Sequence, residues 1–379
     1  MRVVVAPNAL KGSLTPFEAA QAIARGVHAA DPTIEIVSLP IADGGDGTTA
    51  VLCAARAGVI RETIVPDPLG RPVRASFGLL DDGRTAVLDV ATASGLTLLE
   101  PHERDPLLVS SRGTGKLIST ALDTGVETVI VGVGGSATVD AGAGLLAALG
   151  VALLDESGTP IPSGGAGLAR LARIDTSRIH PALTRVEVRV ACDVDSPLLG
   201  RHGAALLFGP QKGATPGAVL ELEQNLSHFA DVVQRTTGRD VRGLASGGAA
   251  GGIAAGLYGV LGAALESGID LVLETLAFDQ ALLGADLVIT AEGQLDRQSL
   301  RNKGPCGVGR WAKRRDVPVI ALVGGIADDM RAADFADFAG AFSICQGPMT
   351  LEHAMRRSAE LLEQAAESVL RTWLYRHHA

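Results

Sequence analysis

Five loops, most of them glycine-rich, carry carboxylates, lysines or hydroxyls, residue types that can handle phosphate, a divalent cation or a small hydroxy acid. Cys192-Asp193-Val194-Asp195-Ser196-Pro197 ends an apolar, β-branched run with two carboxylates at i and i+2. Such a pair can supply a general base or hold a metal ion, with a surface turn as the plainer alternative. Phe208-Gly209-Pro210-Gln211-Lys212-Gly213 then adds a cation in a glycine-bounded turn. Thr290–Gly304 crowds Glu292, Asp296, Ser299 and Lys303 into one strand–helix connection, the place where open α/β sheets bind ligands. Asn8–Ser13 sets Lys11, Gly12 and Ser13 ahead of a helix start, where free N–H groups and the helix dipole favour an anion. A solvated lysine in a capped loop is the competing reading. Asp43-Gly44-Gly45-Asp46-Gly47-Thr48 suits magnesium or a substrate hydroxyl as well as a helix cap. Gly132-Val133-Gly134-Gly135-Ser136-Ala137-Thr138-Val139-Asp140 fits G-x-G-x-x-A, with Asp155 about 20 residues on, so dinucleotide binding competes.

Lysines, carboxylates and glycine-rich backbone together suit phosphoryl transfer, which needs mainly positioning and charge neutralisation. No Walker A sequence and no protein-kinase HRD or DFG set occurs, so a kinase here would be of another lineage.

The elements that must position these loops alternate at both ends of the chain. Val3–Ala6 reads as a strand, and the helix after it is marked by Thr15 as cap, Pro16 at the first position and Glu18 closing a capping box. Glu35–Leu39 is a second strand and Thr48–Ala57 a second helix. The pattern returns as strand Leu287–Ala291, helix Cys306–Arg315, strands Val317–Val323 and Ala341–Ile344, and an amphipathic helix Leu351–Leu370. Between them, Pro66–Ala75 breaks the alternation. A hairpin-like stretch follows around LLDDGRTAVLDV, then strands Thr128–Val133 and Val186–Ala191 and a long helix Leu220–Arg235. The expected fold class is α/β with two α/β domains. Residues 1–65 plus 284–379 form a discontinuous Rossmann-like, three-layer domain with a parallel sheet, residues 66–283 form an inserted α/β domain, and the active site is expected in a cleft between them.

Composition narrows the partners. The formal net charge of −9 disfavours nucleic acid, and 47% hydrophobic residues exclude global disorder. Glycine supplies 47 of 379 residues, well above the usual share of about 7%, which fits tight strand–helix loops. Cys53, Cys192, Cys306 and Cys345 lie far apart, without zinc-site spacing. The apolar run after Met1 is too short for a signal peptide, and Leu244–Leu265 is a glycine-broken loop entering a buried helix rather than a membrane span. A cytoplasmic monomer or homodimer, with no membrane and no nucleic-acid partner, is expected.

The ordered set APNALKGSL, ADGGDGT, ATASGL, GVGGSATVDAGAG, ACDVDSPL, FGPQKGA, AAGGIAAGL, ITAEGQLDRQSL and FSICQGPM resembles the bacterial glycerate kinase type I family from residue 1 to about residue 370. The resemblance implies magnesium- and ATP-dependent phosphorylation of D-glycerate to 2-phosphoglycerate. On that footing Asp193 would take the hydroxyl proton, with Lys11 and Lys303 offsetting anionic charge. Ser13, Asp43, Gly44, Gly45 and Ser299 would hold glycerate. Gly134, Gly135, Ser136, Thr138 and Lys212 would hold nucleotide phosphates, and Asp195, Glu292 and Asp296 the metal. Asn8, Ala9 and Leu10 stand where the family reads Asp-Ser-Phe, Val139 replaces an Asn, and Ala291 and Asn302 replace glycines. Two rivals remain: an NAD-dependent oxidoreductase using Gly132–Ala137, and a two-lobed, non-catalytic small-acid binding protein.

Overall fold

A computed structural model describes residues 1–80, 83–297, 299 and 303–377. Among them the strands are β1 Arg2–Val5, β2 Glu35–Ser38, β3 Val59–Pro66, β4 Pro72–Leu79, β5 Thr85–Asp89, β6 Thr128–Gly132 and β7 Ala152–Leu154. They continue with β8 Arg173–Asp175, β9 Glu187–Cys192, β10 Ala264–Ser267, β11 Leu287–Leu295, β12 Val319–Ile326 and β13 Gly340–Ser343. The chain divides into two units, Met1–Asp43 with Ile269–Ala379, and Gly44–Gly268.

The first unit is built on a wholly parallel sheet of order β13-β12-β11-β1-β2. Val3, Val4 and Val5 are fully buried, as a strand covered on both faces requires. The helix Pro16–Ala30 starts with the anticipated capping box, Thr15 receiving the Glu18 N–H and the Glu18 carboxylate receiving the Thr15 N–H. It packs on the C-terminal helix Ser358–His377, and Gly26 permits the close approach, since a Cβ there would meet the Glu363 carbonyl oxygen at 2.2 Å. Leu351–Leu370 is not one helix as expected. Leu351–Arg356 ends at Arg357, and Ser358 starts the next. Strand order reverses between β1 and β11, and outside the carboxyl ends of such a pair open α/β sheets hold ligands.

The second unit carries a mixed sheet of order β10-β9-β6-β5-β4-β3. β3, β4 and β5 are antiparallel neighbours, while β5, β6, β9 and β10 run parallel. Phe77, Leu88, Leu117, Ile118 and Val131 fill the core beneath it. A second cluster, centred on Phe229 of the helix Pro216–Thr237, lies under the small antiparallel pair β7–β8.

The joins between units fall earlier than the composition suggested. Pro66–Ala75 is a hairpin inside the second unit rather than a boundary. β3 pairs with β4 from Val59↔Leu79 to Pro66↔Pro72, and Asp67 receives the N–H groups of Leu69 and Arg71 in the turn. The helix Thr48–Ala55 packs on β4 and β5, which draws residues 44–65 into the second unit. At the other join, Ile269 packs against Gly307 and Asp270 accepts from the Trp311 indole at 2.7 Å, so residues 269–283 belong with the first unit. Among the described residues, no helix is long and apolar enough to cross a membrane.

Candidate active site

In the first unit, β1 and β11 place their carboxyl ends side by side. The Asn8 N–H donates to the Ala291 carbonyl at 2.9 Å, which ties the first loop to the β11 strand end. Asn8 is buried; its amide Nδ2 donates to the Asp43 carboxylate at 3.2 Å while its Oδ1 receives the Ala9 N–H. A carboxylate at position 8 would need a proton to make the first of these bonds, so Asn8 orients Asp43 without adding charge. Lys11, Ser13, Glu292, Asp296, Ser299 and Lys303 line a cavity of about 800 Å³. Ser299 receives the Asp296 N–H at 3.2 Å and donates its own N–H to the Asp296 carboxylate at 2.9 Å, a reciprocal lock on that turn.

Glu292 is the electrostatic centre of this cavity. Burial pushes its carboxyl up to about 7, the negative charge of Asp43 adds to the shift, Lys303 and Lys11 oppose it, and Asp296 raises it further. Its Oε2 is buried with no hydrogen-bond partner among the described residues. An orphaned oxygen beside two more carboxylates fits a bound cation or a proton donor. The sign of the shift sets a pH dependence. With a folded pKa near 7 against an ordinary 4.5, Glu292 is harmless below pH 4.5, its penalty builds as pH rises from 4.5 to 7, and it is fully present above 7. Glu292→Gln is therefore expected to melt higher than the parent at pH 8, by a few degrees, with the gain shrinking towards pH 5. Thermal melts across that range check it.

In the second unit, three glycine-rich loops and the end of β9 are packed together. A Cβ on Gly134 would meet the Gly45 Cα at 2.6 Å, one on Gly44 would meet the Ala191 carbonyl oxygen at 2.8 Å, and Gly95 bridges to Ser136. Asp89, at the end of β5, receives the Gly47 N–H at 3.1 Å and the Thr49 N–H at 3.3 Å. Burial raises its carboxyl to about 7, and those N–H groups pull it back. Lys212 is buried, and its Nζ donates to the Ser136 Oγ at 2.8 Å and the Thr138 carbonyl at 2.9 Å. Desolvation lowers its pKa to about 7, against the attraction of Asp140. Asp140 in turn receives the Ser111 hydroxyl and N–H and the N–H groups of Gly142 and Gly144.

Lys212, Gly134, Gly135, Ser136 and Asp193 line a pocket of about 230 Å³, closed on one side by Ala249–Gly251. That wall is sterically demanding. Gly251 has φ +68°, and a Cβ there would lie 1.8 Å from the Thr138 carbonyl oxygen, the acceptor that holds Lys212. Gly251→Ala is expected to cost about 3 kcal/mol through strain and overpacking, read by chemical denaturation.

The residues singled out from sequence thus sort by unit. Lys11, Ser13, Asp43, Glu292, Asp296, Ser299 and Lys303 fall in the first, and Gly44, Gly45, Gly134, Gly135, Ser136, Thr138, Asp193, Asp195 and Lys212 in the second. Gly44 and Gly45 serve as loop-packing surfaces against Ala191 and Gly134. Thr138 supports Lys212 through its carbonyl, and its buried Oγ1 has no hydrogen-bond partner among the described residues. Asp195 has an exposed side chain, and its carbonyl accepts from the Ser246 N–H. It does not share a unit with Glu292 and Asp296, and among the described residues no group of three His, Cys, Asp or Glu side chains is arranged to hold a metal ion. Val139 and Ala291 are fully buried, and Asn302 lies outside the described residues. Asp155 does not serve the Gly132–Ala137 loop. It receives the Ser157 and Thr159 N–H groups in its own turn and pairs with Arg170 at 2.8 Å.

Asp89, Asp140 and Asn8 were not assigned from sequence. Asp89 had a signal, since it is a lone carboxylate closing the apolar run Thr85–Val90.

Residues 3–374 match the model of the glycerate kinase family. A Bacillus subtilis protein named glycerate kinase is 47% identical over 97% of both chains. An Escherichia coli protein named glycerate 2-kinase is 43% identical over 98% of both. A crystal structure of a protein from Salmonella typhimurium LT2 matches with a TM-score of 0.89 at 43% identity, covering 100% of each chain.

Proposed function

The chain belongs to the glycerate kinase family, and from that premise we propose that it transfers the γ-phosphoryl group of ATP to the 2-hydroxyl of D-glycerate. It is a kinase that phosphorylates glycerate; the position phosphorylated and the residue roles are our reading. The observation that carries this reading is the pocket where a buried lysine, two glycine backbones and Asp193 converge. Asp193 is the base: it accepts the hydroxyl proton as the oxygen bonds to the γ-phosphorus and the bond to the bridging oxygen breaks, releasing ADP. Lys212 holds an anionic group of a substrate. Lys11 and Lys303 offset phosphate charge, and Ser13 and Ser299 offer hydroxyls to the same cavity.

Glu292 and Asp296 are the two carboxylates that would hold magnesium, and the Glu292 Oε2, without a hydrogen-bond partner among the described residues, fits that use. Magnesium when bound neutralises phosphate oxygens. Asp195 is left out of this set for its exposed side chain and its place in the other unit. Diffusible charged substrates and four free cysteines accord with a cytoplasmic setting.

A coupled ADP-release assay with D-glycerate, followed by phosphorus NMR of the product, tests the reading. Phosphate on the 3-hydroxyl, or no product, overturns it. A second reading as an NAD-dependent oxidoreductase has no supporting observation, because Asp155 is committed to its own turn.

A further inference from the structure

We propose that the two cavities divide the substrates by size: the first-unit cavity takes the nucleotide, with its base against Ile344, Met349 and Met355, and the second-unit pocket takes glycerate, with its carboxylate on Lys212. This rests on the kinase reading and exchanges the partition that motif order suggested, in which Gly134–Thr138 and Lys212 hold phosphates and Ser13, Asp43 and Ser299 hold glycerate.

Volume is the first argument. Sites for drug-sized ligands run from about 300 to 1,000 Å³. The first-unit cavity, at about 800 Å³, lies inside that range, and the second-unit pocket, at about 230 Å³, lies below it. A three-carbon acid fits within the smaller space, whereas a nucleoside triphosphate, several times larger, would extend well beyond it.

The linings differ in kind as well. The larger cavity carries both kinds of side chain: Leu10, Ile344, Met349 and Met355 are apolar, and Lys11, Ser13, Ser299 and Lys303 are polar. An aromatic base joined to a polyphosphate needs both, and methionine side chains adapt readily to a flat ring. The smaller pocket offers one buried ammonium, the Ser136 hydroxyl and glycine backbone, enough for one carboxylate and its neighbouring hydroxyl.

Gly325 and Gly347 supply an independent observation. Both line the larger cavity, neither has a positive φ, and a Cβ on either would meet no atom of the described residues within 4 Å. Neither backbone geometry nor packing within the chain calls for glycine there. Space kept clear for a ligand accounts for both. Gly325 lies in β12 opposite Gln294 of β11, so a β-branched residue suits its backbone.

The test uses the full chain, titrating ADP and D-glycerate separately by calorimetry and measuring both KM values. Gly325→Val and Gly347→Leu are each expected to weaken ADP binding and raise the KM for ATP about 10-fold or more, as steric intrusion on a ligand does. Their KM for glycerate and their melting temperature should stay at parental values. Lys212→Met should give the mirror result, a raised KM for glycerate with ADP binding intact. ADP affinity that survives both glycine substitutions and is lost in Lys212→Met overturns the partition. A wild-type chain that binds ADP but yields no phosphoglycerate overturns the kinase reading instead, and the ADP titrations still decide where the nucleotide sits.

Discussion

Lys212→Met is expected to lower kcat/KM for glycerate by about 10²- to 10³-fold, the scale of removing one preorganised charged donor from a water-poor site. The side chain is wholly enclosed, and its Nζ has two fixed acceptors, the Ser136 Oγ and the Thr138 carbonyl. One N–H is left for a ligand, so a bound anion meets a donor already aimed and already desolvated. Burial has lowered the pKa to about 7, and this predicts a pH signature. Anion capture needs the charged form, so kcat/KM in the wild type should fall as pH rises above 7. Stability moves the other way. A lysine whose folded pKa lies below its ordinary 10.5 destabilises fully below pH 7, and the penalty disappears as pH rises towards 10.5. The melting temperature of Lys212→Met relative to wild type should therefore improve as pH falls from 10 to 7 and level off below. A variant that loses activity while gaining relative stability at low pH separates a ligand-binding role from a structural one. Parallel losses in both would show that Lys212 only props up the Ser136–Thr138 loop.

Much of the frame was legible because local signals and tertiary demands agree. Thr15, Pro16 and Glu18 specify a helix start by themselves, and the capping box forms as read. Apolar runs such as Val3–Val5 and Val288–Ala291 announce strands buried on both faces. The unit boundaries were harder because proline and glycine mark two different things, linkers and tight hairpins. At Pro66–Ala75 the decisive fact is the full-length pairing of β3 with β4, a long-range contact with no local marker. The break at Arg357 was hidden because Leu351–Leu370 keeps an amphipathic pattern through it.

Within the site, spacing named the loops but could not say which loops share a wall. Gly44 and Gly45 stand next to Asp43 in sequence, yet they are packing surfaces for Ala191 and Gly134, while Asp43 is held by Asn8 in the other unit. Adjacent residues were read as one binding group when the join between units runs through the motif itself. Asp89 and Asp140 were passed over because each holds a backbone N–H group of another loop. Their role depends on partners about 30 to 40 residues away, which no short motif contains.

Asp193→Asn is expected to lower kcat by about 10²- to 10⁴-fold, the span ascribed to a positioned general base. Asp193 follows directly on β9, whose final residues Ala191 and Cys192 are buried, so a rigid strand sets where the carboxylate sits. It is half-buried on the wall that also carries Lys212 and Gly134–Ser136. A small hydroxy acid anchored by its carboxylate on Lys212 would have its hydroxyl within the same small pocket. Asparagine keeps the size and the hydrogen-bonding reach but cannot accept a proton. Substrate affinity should then change little, so the KM for glycerate stays within a factor of a few and the loss falls on kcat. Asp195→Asn, at an exposed position two residues on, is the matched comparison and should stay near wild-type activity. The two substitutions change the formal charge of the strand end equally, so a general electrostatic effect predicts similar losses and a base predicts very different ones. Comparable kcat values for the two variants, by steady-state ADP release, would remove Asp193 from the proton-transfer step and leave phosphoryl transfer here resting on positioning and charge alone.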